Sequence, residues 1–144
     1  MKWRATETAA LNAHRALPVF VKNYFEAGRE ASKGHKSPRE LHKFRVRTKR
    51  FRYALEMFAP IYGTELTKRL GTLRRLQKIL GQISDVYTIR KILKHDGHKQ
   101  ELHSEGNKRI DEFREHWNTV FDAADQLEQW TAVLSGAPNP SQKR

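Results

Sequence analysis

Apolar residues recur along four segments at alternating spacings of three and four, and no segment alternates apolar and polar residues as a strand does. Pro18 lies inside the first segment and should kink or split it. The fold class predicted is all-α, an antiparallel up-down-up-down four-helix bundle that forms a single domain over residues 1–134. The polar, proline-containing tail 135–144 is predicted to be disordered. The helices are predicted at about residues 4–31, 38–61, 64–94 and 100–134.

The second segment has the clearest helix start. Ser37 stands where an N-cap is expected, Pro38 takes the first helical position, and Glu40 follows the cap by three residues. Pro60 and Gly63 are predicted to end this helix. Its core stripe is Leu41, Phe44, Thr48, Phe51, Leu55, Phe58 and Tyr62. The stripe of the fourth segment is Ile110, Phe113, Trp117, Val120, Ala124, Leu127 and Leu134.

Charge adds the first indication of a partner. The chain has 28 Lys and Arg against 16 Asp and Glu, which gives a formal net charge of +12. Residues 1–100 contain 23 basic and 8 acidic side chains, a net +15, whereas residues 101–144 contain 5 and 8, a net −3. Such a balance predicts a polyanionic partner, namely nucleic acid, acidic lipid or a phosphate polymer, met by the first hundred residues.

Several classes of protein are not expected. The chain has no cysteine, which is typical of a reducing compartment, and it has no apolar run of the roughly 20 residues that span a bilayer. Its first residues lack the apolar core of a secretory signal, so a soluble intracellular protein is predicted.

Motifs for catalysis and metal binding are also missing. A phosphate-binding glycine loop and the GxSxG and HExxH patterns are absent. His95 and His98 flank Gly97 in a predicted loop, and with Asp96 and His103 they have no fixed helical spacing for a metal. We therefore expect binding without catalysis, cofactor or metal.

The stretch LHKFRVRTKRFRY at 41–53 contains six Lys or Arg, one His and no acid. A solvated outer face is the simpler interpretation, but acidic partners one helical turn away are missing, which favours a ligand. On a helix, one row of basic side chains borders the core stripe over about 15 Å. This row is His42, Arg45, Lys49 and Arg52, whereas the outer face holds Lys43, Arg47 and Arg50.

The third segment is predicted to supply a second basic wall. In an antiparallel hairpin that turns at Gly63, Arg52 lies level with Arg74 and Arg45 lies level with Gly81. Gly81 costs a helix about 1 kcal/mol relative to Ala, so it serves either close helix packing or the approach of a ligand. One face of this helix holds Arg74, Lys78, Gly81 and Asp85, and Asp85 is placed to orient either His42 or Arg45.

The segments LHKFRVRTKRFRYALEMF at 41–58 and LQKILGQISD at 76–85 resemble the CHAD family, the conserved-histidine α-helical domain. The resemblance implies a helical bundle that binds inorganic polyphosphate through its basic surface. With the helical placement, it assigns the ligand to His42, Arg45, Lys49, Arg50 and Arg52, with Arg74 and Lys78 across the groove. The supporting residues are then Tyr53, Gly81 and Asp85.

The family usually pairs two four-helix units around a central groove, and this chain resembles the second unit alone. Either one unit suffices, or two chains associate as a homodimer that rebuilds the pair. The absence of cysteine, of a membrane-spanning run and of a secretory signal predicts a cytoplasmic protein, with polyphosphate granules as one location. Nucleic-acid binding is the alternative that charge alone supports, although no recognition motif or aromatic platform accompanies the basic row.

Overall fold

The computed structural model describes residues 3–34, 36–93 and 97–136, and these form helices and no strand. The prediction of an all-α bundle is confirmed. The helices are α1 (Ala9–Ala31), α2 (Pro38–Tyr62), α3 (Thr64–Ile92), α4 (Lys99–His116) and α5 (Gln126–Leu134), with a π-helical turn (Trp117–Phe121) after α4. Each of α1, α2 and α3 packs against the next helix, and α5 packs against α1, which closes the bundle.

The predicted start of α2 is confirmed, because the Ser37 hydroxyl accepts a hydrogen bond from the Glu40 amide at 3.2 Å. The start of α1 is not at residue 4. Thr8 caps a helix that begins at Ala9, and buried Asn12 donates to the backbone carbonyls of Arg4, Glu7 and Thr8. Residues 4–8 therefore form a turn tied to α1 rather than a part of it.

Pro18 does not split α1, which is continuous from Ala9 to Ala31. Pro60 likewise lies inside α2, which ends two residues later, and the chain turns at Gly63 with φ of +72°. Glycine has no steric penalty in this region, so a tight α2–α3 hairpin forms. The two helices that carry the basic residues are thereby held side by side.

The prediction of one helix over 100–134 is wrong. After the π-helical turn the chain breaks at residues 122–125, where Asp125 has a φ of +67°, before α5 begins. In the π-helical turn the Trp117 ring packs against Gly28 of α1, where any added Cβ would overlap the ring. The turn also shifts the apolar register, so that Val120 is 47% exposed instead of in the core.

The core lies along the predicted stripe of α2 and the matching stripe of α3. Thr48, the polar member, is fully buried and satisfied, since it donates to the Phe44 carbonyl at 2.9 Å and lies 2.8 Å from the Tyr24 hydroxyl. Burial raises the pKa of Tyr24. The buried residues on α2 are Leu41, Phe44, Thr48, Phe51, Leu55 and Phe58.

Of the tail predicted to be disordered, residues 137–144 lie outside the described residues.

Candidate anion-binding groove

An open groove of about 550 Å³ lies between α2 and α3. Arg45 and Arg52 are seven residues apart, so they project from one face of α2 two turns from each other. Arg74, Lys78 and Gly81 share a face of α3 for the same reason, and the hairpin at Gly63 turns these faces toward each other. The groove is lined by Arg45, Arg52, Arg74, Gln77, Lys78, Gly81, Gln82 and Asp85.

Glu56 joins the two walls at one end of the groove. Its Oε1 accepts a hydrogen bond from Arg52 Nη1 at 3.1 Å and another from Arg74 Nη2 at 3.2 Å. The Arg52 guanidinium also lies over the Tyr53 ring, 4.8 Å from its centroid. Arg74 stays 53% exposed, so one carboxylate oxygen orients two guanidinium groups that remain open to solvent on other sides.

Arg45 lies against Gly81 in the middle of the groove. An alanine Cβ at position 81 would be 3.9 Å from Arg45 Nε, so it is an arginine side chain, rather than a helix backbone, that occupies the space above this glycine. The two contacts between the helices also show that α2 and α3 run antiparallel. Going back along α2 from Glu56 to Arg45, the contacted residue on α3 moves forward from Arg74 to Gly81.

Three polar atoms in this groove are buried and have no hydrogen-bond partner within the described ranges: Nε of Arg45, Nε of Arg52 and Oε1 of Gln77. Leaving such a group unsatisfied costs about 1–3 kcal/mol, so buried polar groups are normally paired. The two Nε atoms are closed to solvent, so the donors that the groove offers to acceptor oxygens include the exposed side chains of Arg74 and Lys78.

The other predicted site residues fall in different places. His42 is exposed and Lys49 is half-buried, and although both belong to the basic row on α2, neither lines the groove. Arg50 is five residues from Arg45 and so points to the opposite flank, where it lines a pocket against α1. The assignment of Arg50 to this groove is therefore corrected.

The supporting residues are also only partly as predicted. Asp85 lines the groove, but among the described residues it makes no hydrogen bond or ion pair with His42 or Arg45. Tyr53 is 55% exposed and presents its ring to Arg52.

Sequence reasoning missed Glu56, Gln77 and Gln82 as site residues. The signal for Glu56 was present, since it follows Arg52 by four residues, the spacing of a helical ion pair.

In the part of the chain that the structure describes, no group of three or more His, Asp or Glu side chains is placed to hold a metal ion. His95 and Asp96 lie outside that part. Among the described helices, none combines the length and apolarity needed to cross a bilayer.

Comparison with known proteins gives one result. The family model described as CHAD domain matches residues 2–94, which includes α1, α2 and α3 and therefore both walls of the groove. No curated protein and no solved structure matches the chain.

Proposed function

The chain belongs to the CHAD family, which is linked to polyphosphate binding, and from this premise we propose that it binds inorganic polyphosphate in the groove between α2 and α3. The observation that carries the proposal is the convergence of four cationic side chains, those of Arg45, Arg52, Arg74 and Lys78, on one open groove. A phosphate chain in the groove would meet the arginines of α2 on one side and Arg74 and Lys78 of α3 on the other.

The composition of the groove supports a ligand made of phosphates alone. Its lining side chains are charged or amide-bearing, and it offers no apolar floor or aromatic platform for a base. Polyphosphate has about one negative charge per phosphate and no base, so it requires guanidinium forks and ammonium groups at regular intervals. His42 and Lys49 belong to the same row on α2, and the row from His42 to Arg52 gives a cationic track of about 15 Å.

Binding without catalysis is part of the proposal. The lining has a single carboxylate, Asp85, and Glu56 nearby is engaged by two arginines. Divalent-metal catalysis of phosphoryl transfer uses carboxylates placed together. We place this binding in the cytoplasm, where granules of the polymer are one location.

A homodimer that rebuilds the tandem pair remains a second part of the proposal, because two copies of the groove would double the number of phosphate contacts. Sedimentation of the chain with and without polyphosphate measures this directly. A monomer under both conditions overturns the dimer and leaves the groove of one chain as the site.

The decisive experiment compares two triple variants of α2 that remove the same charge. Changing Arg45, Lys49 and Arg52 to Ala should weaken polyphosphate binding by at least about 100-fold, since charge-assisted hydrogen bonds are each worth about 1.5–3 kcal/mol. The matched control changes the outer residues Lys43, Arg47 and Arg50 to Ala and should cost less than about fivefold. Gel-shift titration measures binding and circular dichroism checks helix content.

Equal losses in the two variants would contradict the groove and leave only net charge as the cause. The same titration against short RNA at matched charge tests the alternative ligand. Polyphosphate should compete at least about tenfold better than RNA, because RNA adds bases that the groove does not contact. RNA that displaces polyphosphate at equal charge concentration would favour nucleic-acid binding instead.

A further inference from the structure

A second arginine-rich pocket, of about 540 Å³, lies on the other flank of α2, against α1. Its volume falls within the roughly 300–1,000 Å³ of small-molecule sites. It shares no lining residue with the groove between α2 and α3. The residues that line it are Arg4, Arg15, Ala16, Val19, Phe20, Asn23, Tyr24, Arg47 and Arg50.

The floor of this pocket is apolar, unlike that of the groove. Val19 is 60% exposed and presents an apolar surface to the pocket. Phe20 stacks one ring face on Phe51, with centroids 5.3 Å apart, so the pocket meets its other face or its edge. The hydroxyl of Tyr24 is paired with Thr48, which leaves its ring as the part that lines the pocket.

The rim is cationic. Arg4 and Arg15 both form ion pairs with Glu7. The carboxylate neutralises one of the two positive charges and holds both side chains in place. These hydrogen bonds lower the pKa of the Glu7 carboxyl, that with Arg4 contributing most. Arg47 and Arg50 are exposed and make no hydrogen bond or ion pair with any described residue. With four arginines and one glutamate, the pocket has an excess of three positive charges.

We propose that this pocket binds a small organic phosphate with a flat aromatic body, of the nucleoside phosphate class. Arg47 and Arg50 contact the phosphates, and the aromatic ring packs on Val19 and Phe20. Asn23 offers both a donor and an acceptor to the edge of the base. An acyl chain has no group that would bond to this amide, and bare polyphosphate would leave the apolar floor exposed to water.

The test uses the full chain and isothermal titration calorimetry with three probes. ADP has both ring and phosphates, pyrophosphate has the charge without the ring, and adenosine has the ring without the charge. ADP should bind at least about tenfold more tightly than either of the others, because only ADP engages both floor and rim. Equal affinity for ADP and pyrophosphate overturns the proposal, as does no binding of ADP.

Variants locate the site. Arg50→Ala should weaken ADP binding about tenfold, whereas Arg39→Ala, the same change on the same helix outside the pocket, should leave it unchanged. Val19→Glu places a carboxylate at an exposed position of the floor, where folding does not depend on it, and should abolish ADP binding. Both pocket variants should keep polyphosphate binding within about twofold. Loss of ADP binding in Arg45→Ala but not in Arg50→Ala would place the nucleotide in the groove and overturn the second site.

Discussion

The two flanks of α2 present the same chemistry to different neighbours. On one flank, Arg45 and Arg52 face the polar surface of α3, and on the other, Arg47 and Arg50 face the apolar surface of α1. Both flanks attract anions because both present guanidinium groups. The neighbouring helix sets what else the anion must contain, so under the two proposals one run of basic residues would serve two kinds of ligand.

The arginines also differ in how they are held. In the groove, Arg45 and Arg52 have buried Nε atoms, and Arg52 is also held by Glu56, whereas Arg47 and Arg50 of the pocket extend into solvent. A packed arginine loses little further entropy when it binds, while an exposed one must first be ordered. We therefore expect the groove to bind more tightly per phosphate contact, and the pocket to depend more on its apolar floor.

Salt dependence should separate the two flanks most strongly. With four cations engaged, polyphosphate binding should fall about 100-fold between roughly 50 and 200 mM salt, because each contact releases counterions. ADP binding, with two arginines and an apolar floor, should fall only about tenfold over this range. Titrations of each ligand across a salt series measure the two slopes. Parallel slopes would mean that both ligands use the same contacts, and the comparison of flanks would fail.

The next largest expected change in polyphosphate affinity comes from removing the charge of Glu56. This carboxylate lies at one end of the groove, where it competes with the ligand as an internal anion. Its Oε1 receives hydrogen bonds from Arg52 and Arg74 that a phosphoryl oxygen would otherwise receive. Glu56→Gln keeps the size and removes the charge, so polyphosphate should bind about fivefold more tightly, a change of about 1 kcal/mol. ADP binding on the other flank should not change.

The control for this variant is Glu40→Gln, which removes one negative charge from the same helix at an exposed site that does not line the groove. It should alter polyphosphate binding by less than about twofold. Weaker binding in Glu56→Gln would contradict competition and show that the carboxylate instead organises the two guanidinium groups for the ligand.

Helical periodicity was sufficient to predict the groove because the hairpin is local. The core stripe of α2 sets which side chains remain for its flanks, and the turn at Gly63 sets the level at which α3 meets them. The predicted pairing of Arg45 with Gly81 follows from these two facts alone. The hydrogen bonds from Arg52 and Arg74 to Glu56 could not be predicted from spacing in the same way, because they depend on side-chain conformations on both helices.

The break after α4 could not be predicted from the same kind of pattern. Its apolar stripe continues through residues 110–134 without Gly or Pro, so the spacing of these residues does not indicate the π-helical turn or the positive φ of Asp125. Arg50 illustrates a different limit. Periodicity places it on the outer face of α2, and it was assigned to the ligand through the resemblance, which does not distinguish the two flanks.

Substitution of Gly81 by Ala should cause the smallest change in polyphosphate affinity. The helix α3 contains a second glycine, Gly71, that serves as its matched control. Gly71 has no atom within 4 Å of a Cβ added to it, whereas a Cβ at Gly81 would lie 3.9 Å from Arg45 Nε, an ordinary van der Waals contact. Gly71→Ala and Gly81→Ala should each stabilise the protein by about 1 kcal/mol, because both replace glycine inside a helix. Thermal unfolding should show similar increases in Tm of a few degrees for the two variants.

Polyphosphate affinity should differ between the variants of the two glycines. Gly71→Ala should leave polyphosphate affinity unchanged, and Gly81→Ala should reduce it by about twofold or less, because the added methyl group touches Arg45 without displacing it. Gly81→Leu should reduce it about tenfold, since the larger side chain moves the guanidinium out of the groove. A tenfold loss already in Gly81→Ala, with the gain in stability retained, would mean that the phosphate chain itself approaches the α3 backbone. The space above Gly81 would then belong to the ligand rather than to Arg45.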